Sequence, residues 1–117
     1  MIPAPVKSLV TSADVDKLDV RVGTIRTVED VSGSTRLVRL TVSFGDNERR
    51  VLAGLKTERA SPQEIVGRQA LFVVNLAPRP MAGEISEAML FDIGYADGIV
   101  PVLAVPETPV PDGSRAG

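Results

Sequence analysis

The 117-residue sequence contains no cysteine, no histidine and no tryptophan. Without Cys and His it cannot build a Cys/His zinc site, an imidazole general base, a thiol nucleophile or a disulfide. Most familiar catalytic apparatus is therefore excluded, and neither a metal nor a cofactor is expected. Aromatic residues are almost as scarce: Phe44, Phe72, Phe91 and Tyr95 are the whole inventory. Phe72 and Phe91 sit in apolar runs that read as core, so too few rings remain for a base-stacking platform of the single-strand-binding type. No run approaches the ~18 apolar residues of a membrane span, and residues 1–10 (MIPAPVKSLV) lack the apolar centre of a signal peptide. The expectation is a cytoplasmic protein without membrane insertion.

What is present is an ordinary globular composition, 44% hydrophobic and 24% charged. A chain of this length makes one domain that buries about two-thirds of its unfolded surface. Thirteen Lys and Arg against fifteen Asp and Glu give a formal charge of -2, so the molecule as a whole is not a basic nucleic-acid coat. The charge is unevenly spread, however. Residues 17–79 carry a surplus of four positive charges, whereas residues 80–117 hold one Arg against six acids. Any anion-binding surface must lie in the middle of the chain.

Apolar alternation dominates that middle. Val38, Leu40, Val42 and Phe44 share one face and Leu37, Arg39, Thr41 and Ser43 the other, the period of a half-buried strand. The preceding strand changes phase between Val22 and Ile25, and Gly23 between them predicts a bulge, after which Arg21 and Arg26 both face outward. Gly45-Asp-Asn47 suits a hairpin loop leading to a third strand over residues 49–55. Ser61-Pro62-Gln-Glu64-Ile-Val-Gly67 combines an N-cap, proline at the first helical position, a capping-box Glu and a terminal glycine, which predicts one short helix. Residues 69–75 form a continuous apolar run, residues 87–95 alternate with Met89, Phe91 and Ile93 inward, and a further strand is expected over residues 99–105 after a turn at Asp97-Gly98.

At the ends, residues 2–11 with Pro3 and Pro5 predict an extended arm, and Ser12 caps a helical turn over residues 12–18. The tail from Pro101, with Pro106, Pro109 and Pro111, is too proline-rich for a central strand or helix and is expected to be extended, edge-like or partly disordered. The organisation expected is therefore an N-terminal arm over residues 1–17, a domain over 18–105 and a proline-rich tail over 106–117. Three strands, a short helix, then two more strands is the order of an all-β, five-stranded OB-fold barrel. Periodicity alone leaves another small barrel or a half-open sheet open.

The densest unusual stretch is Asn75-Leu-Ala-Pro78-Arg79-Pro80-Met81-Ala82-Gly83-Glu84-Ile-Ser86-Glu87. It reads either as a long hairpin connection or as a binding loop, in which Pro78 and Pro80 restrict Arg79, a side chain suited to bidentate phosphate binding. Arg36, Lys56 and Arg59 are further phosphate candidates whose value depends on the barrel grouping them. Arg49 and Arg50, adjacent on a strand, point to opposite faces and are expected to be solvated. Glu84, Glu87 and Asp92 have no spacing that fixes a hydrolytic carboxylate pair. Gly94-Tyr-Ala-Asp97-Gly98 lacks the context of a P-loop. No enzyme activity is expected.

Leu18-Asp-Val-Arg21-Val-Gly23-Thr-Ile25 and the 75–89 stretch together resemble the tRNA-binding OB domain family. That domain occurs free-standing, appended to some methionyl-tRNA synthetases, and in a synthetase-associated cytokine; the sequence is most similar to the free-standing, CsaA-like branch. Asn75, Pro78, Arg79, Gly83, Ser86 and Glu87 match the family's loop, and Arg36 before Leu37 matches its basic-Leu pair. Pro80 and Ala82 stand where synthetase-appended members carry Lys or Arg, and Ala82-Gly83 is a CsaA-like feature. The resemblance implies a non-catalytic homodimer that contacts the phosphate backbone of tRNA. Its expected RNA-binding residues are Arg21, Arg26, Arg36, Lys56, Asn75, Arg79 and Ser86, with Gly23, Pro78, Gly83 and Glu87 as the structural motif. For the CsaA-like branch it also implies a second expectation, an export-related chaperone for unfolded or pre-secretory polypeptides.

Overall fold

The computed structural model describes all 117 residues. In chain order it contains α1 (Ser12–Val15), β1 (Val20–Asp30), β2 (Val38–Ser43), β3 (Glu48–Ala53), β4 (Gln69–Val73), β5 (Arg79–Met81), β6 (Glu84–Ser86), β7 (Met89–Leu90), β8 (Asp92–Ile93), β9 (Val102–Leu103) and β10 (Arg115–Ala116). The main sheet runs β3-β2-β1-β4-β7, antiparallel throughout. Residues 86–87 then return against β3, and the sheet becomes a nearly closed five-stranded barrel, the expected OB-fold.

Closure depends on β1 serving two partners. Its first half, Val20 to Thr24, pairs with β4, and its second half, Thr24 to Asp30, pairs with β2. The bulge that bends the strand is at Arg26, not at Gly23: Ile25 pairs with Val42 and Thr27 with Thr41, leaving Arg26 unpaired. This extra residue lets Ile25 and Val28, three positions apart, both enter the core. Gly23 has a different role. A Cβ there would lie 2.6 Å from Val42 Cγ1 and 2.8 Å from Phe44 Cε1, so its absence allows close packing where β1 crosses the interior.

The core is aliphatic around Phe44 and Phe72, whose rings meet edge to face at 5.5 Å. Ile65, fully buried, reaches this core from a 3-10 turn at Pro62–Ile65, and Gln63 Nε2 ties the turn to Val28 O at 2.6 Å. This turn stands where the short helix was expected, but without its side-chain caps. Ser61 makes no side-chain cap bond, and Glu64 pairs with Arg59 at 2.6 Å. A four-residue 3-10 turn closes on its own carbonyls, as in Glu64 N–H to Ser61 O. At the N-terminus the cap falls on Thr11, one residue before Ser12, where Thr11 and Asp14 form a reciprocal capping box.

Two further expectations are corrected. On the strand near residue 90, Ala88 and Leu90 face inward, while Met89 and Ile93 are about half exposed and Phe91 is only partly buried. Phe91 lies where the chain passes from β7, paired with β4, to β8, paired with β9, and donates its N–H to Leu71 O, so the assumed alternation loses its phase. The last predicted strand shrinks to Val102–Leu103; on its N-terminal side it starts only after Pro101, which lacks an N–H.

The proline-rich tail is edge-like, as expected, and packs over β1. Gly113 N–H donates to Val22 O, and Val22 N–H to Ser114 O; β10 pairs with Val20 and Arg21. Gln69 exchanges two hydrogen bonds with the Val110 backbone, and Asp112 accepts from Thr24 Oγ1 and Gln69 Nε2. Val22 is thereby buried on the outer side of β1, and its parity therefore differs from that of Ile25. No helix is long and apolar enough to cross a membrane.

Gly23→Ala is expected to destabilise the fold by about 1–3 kcal/mol through overpacking. Because the intruding methyl meets Val42, the double variant with Val42→Ala should lose less than the sum of the two single losses, by ~0.5 kcal/mol or more in urea unfolding. Strict additivity would refute the close-approach role.

Candidate nucleic-acid interface

The long connection between β4 and β7 is not a plain loop. It folds into the β5–β6 hairpin, turned by Ala82 and Gly83, both at positive φ (50° and 80°). Two positive φ values are what a tight hairpin turn of the right twist needs, and Gly83 adopts its value without strain. Pro80 sits on β5, an edge strand, where its missing N–H is tolerated.

The hairpin is fixed to the outer face of β2 and β3 by four kinds of contact. Arg39 Nη1 contacts both Glu84 oxygens at 2.9 and 2.8 Å, with Glu29 3.6 Å from its Nε. Met81 packs on Val31, Leu37 and Leu52, a small second core. Buried Ser86 Oγ accepts from Leu52 N–H at 3.1 Å and donates to Ala88 O. Glu87 grips Arg50 twice, its N–H to Arg50 O at 2.8 Å and its Oε1 from Arg50 N–H at 2.9 Å. Between hairpin and barrel remains an open hollow of about 420 Å³, walled by Leu52, Leu76, Ala77, Met81, Ala88 and Met89, with Ser86 in the wall and Arg79 contributing the one charge.

The expected RNA-binding residues divide into two groups. Arg79 is exposed, without ion pair or hydrogen bond from its guanidinium; Arg36 is likewise exposed and unpaired, lying over Gly54 at the end of β3. Arg26, with its side chain 55% exposed, has only Asp112 at 4.0 Å. The others are engaged within the fold. Arg21 donates to both oxygens of Asp19 and to Gly113 O, and this hydrogen bonding holds the Asp19 carboxyl below its ordinary range. Lys56 Nζ pairs with Asp30 and donates to Val31 O and Ser34 O. Asn75 clips the chain before β1, accepting from Asp19 N–H and donating to Lys17 O. Ser86 belongs to the hairpin anchor, as does Glu87, whose carboxylate and that of Glu84 are therefore tied to structural partners.

Sequence reasoning missed several residues of this face. Arg39 stands opposite Glu29 across β1 and β2, a charge pairing legible only once the register is known. Arg49 is not solvated: its Nη1 bonds Val74 O at 2.6 Å and Glu87 O at 3.3 Å, and its guanidinium lies 5.9 Å from the Phe44 ring centre. Arg50, by contrast, is exposed with a free guanidinium, and Arg68 is exposed and unpaired near the tail. Arg50, Leu52 and Gly54 follow each other at two-residue spacing along β3 and its end. Arg50 and Arg36 therefore flank Leu52 on the face that carries the hairpin, with about 7 Å between successive positions.

A family model described as "Putative tRNA binding domain" matches residues 20–115. A methionine–tRNA ligase of Chlorobium luteolum is 48% identical over 80 residues, covering 68% of this chain; the match spans only 11% of the ligase. Among solved structures, a MetRS-related protein from Pyrococcus horikoshii is similar with TM-score 0.86 at 30% identity, covering 95% of this chain and all of that one. The chaperone CsaA from Bacillus anthracis is similar with TM-score 0.79 at 26% identity, covering 94% of this chain and all of that one.

One carboxyl beside Arg36 is unusual. Glu58 Oε1 is buried with no hydrogen-bond partner. Burial first, and then the neighbouring Asp92 carboxyl, push Glu58 up to about 7, against the opposing pull of Arg36 and Arg59. The folded protein thus binds this proton more tightly than the unfolded chain. Stability should fall as pH rises from about 4.5 to 7 and level off above. Glu58→Gln, which keeps the neutral shape, is expected to remove that decline, giving a higher melting temperature than wild type at pH 8 and a similar one at pH 4.5. Parallel curves for the two proteins would contradict it.

Proposed function

The chain belongs to the tRNA-binding domain family, and from that premise we propose that it is a non-catalytic module that holds tRNA by its phosphate backbone and works as a homodimer. The observation that carries the reading is Arg79. It is an unpartnered guanidinium on a hairpin that four separate contacts immobilise against the barrel, so little side-chain and loop freedom remains to be lost on binding. Arg36 and Arg50 extend the same face, and Arg26 lies on the bulge of β1. OB-folds bind oligonucleotides on the strand 2–3 face and the loop between their last two strands, which here are β2–β3 and the hairpin. Arg21, Lys56, Asn75 and Ser86 serve this reading by holding the scaffold. The ligase relative's own activity is not carried over, because the match covers a small part of that protein.

The homodimer is supported by unburied apolar surface. In the N-terminal arm Ile2, Val6 and Leu9 are 89–98% exposed, and Tyr95 and Val100, on either side of the Asp97 that accepts from Ala4 N–H, are more than 70% exposed. Exposed apolar segments of this extent call for a covering partner. The same surface favours a second reading, in which the protein binds unfolded polypeptides as a CsaA-like chaperone.

Arg79→Glu should weaken binding of total tRNA and lower the slope of log K against log salt by about one unit in filter binding, one phosphate contact being lost. Unchanged affinity and slope would remove the hairpin from the interface. Suppression of client aggregation by the wild type, insensitive to salt and without tRNA binding, would replace the first reading with the second. Light scattering at micromolar concentration should give twice the chain mass; a monomer would contradict the dimer.

A further inference from the structure

The phosphate reading leaves the hollow under the hairpin unexplained. We propose that it receives one unstacked nucleobase of the bound RNA, with the adjoining phosphate held by Arg79. This deepens the tRNA-binding reading and rests on it.

The hollow is of the size that takes a small flat group, about 420 Å³. Its walls are aliphatic and thioether side chains, of which Leu76 and Met89 remain more than 40% exposed. A concave apolar wall with a single charge at its rim is the usual form of a site for a small group. Here the covering group has to carry a negative charge at its edge, because Arg79 on the rim has no partner and Arg50, two residues along β3 from Leu52, has none either. A nucleotide is such a group, with an apolar face between two phosphates. A segment of polypeptide offers no comparable density of anions.

The chemistry of the wall also states what the site reads. Ser86, the polar side chain at its back, already accepts from Leu52 N–H and donates to Ala88 O. No side chain of the wall other than Arg79 is free to donate to a base edge, so the hollow is expected to recognise that a base is unstacked more than which base it is. Scarcity of aromatic residues elsewhere in the chain accords with this. Contact comes from Met and Leu side chains and from the Arg79 plane, since guanidinium groups stack on splayed bases. RNA is then selected by shape, through loops and bulges that present a free base.

The test uses the full-length protein with tRNA and with a short single-stranded RNA carrying a central abasic position. Removing the base should weaken binding about tenfold, while exchanging A, C, G and U there should change it less than about threefold. Ala77→Phe, an exposed change that fills the hollow, should weaken tRNA binding to a similar degree and leave the salt slope unaltered, since no cation is lost; its unfolding curve checks that it folds. Equal binding of abasic and intact RNA would overturn the proposal while leaving the phosphate reading intact, provided Arg79→Glu still weakens binding. Absence of tRNA binding in the wild type would overturn both. If Ala77→Phe keeps tRNA binding but abolishes suppression of client aggregation, the hollow is a polypeptide site and the proposal fails.

Discussion

The hairpin, its Arg79 and the hollow beneath it depend on how the barrel is closed between β3 and residues 86–87. Strand ladders hold the other seams, but this one is made largely by side chains. Glu87 stands in for a strand partner of Arg50, Ser86 Oγ satisfies the Leu52 N–H, and Arg49 reaches from β3 to Val74 O and Glu87 O. The Leu52 N–H is buried, and left without a partner it would cost about 1–3 kcal/mol, so Ser86 is needed for the fold as well as for the seam. Because Ser86 ends β6 and Glu87 follows it directly, closing the barrel also fixes the hairpin, and with it Arg79 and the hollow.

The same economy governs charge. An acidic protein presents a local basic face by pairing most of its cations internally and leaving a few free. Arg21 and Arg115 share Asp19, Lys56 takes Asp30, Arg59 takes Glu64, and Arg39 lies between Glu29 and Glu84. What remains around Leu52 is Arg36, Arg50 and Arg79. The positive surplus of the middle segment is therefore misleading as a count of contacts, and its useful part is smaller and more tightly grouped than the composition implies.

Strand positions were legible wherever one face is buried and the other wet, as for Val38 to Phe44, since period-two alternation is a direct consequence of the pleat. It failed where the pleat is interrupted. Arg26 and Phe91 are the interruptions, and neither residue type advertises one, whereas Gly23 does and turned out to serve close packing. The loop at residues 75–87 was recognisable as unusual from its prolines, glycine and single Arg. Its hairpin was not, because Ala82 is a poor signal for positive φ. Nor could the sequence tell which cations were free: Arg21 looks like Arg79 until the fold turns it onto Asp19, two residues away, and Lys56 and Arg49 until partners distant in sequence are brought alongside.

On the proposed function, RNA lies against the hairpin and the outer face of β3. Photochemical cross-linking of tRNA to the full-length protein, followed by peptide mapping, tests it without any substitution. Cross-links should concentrate in residues 76–89 and 50–54, with few in the N-terminal arm or around Tyr95. Cross-links confined to residues 1–10 and 93–102, with the hairpin unmodified, would contradict it.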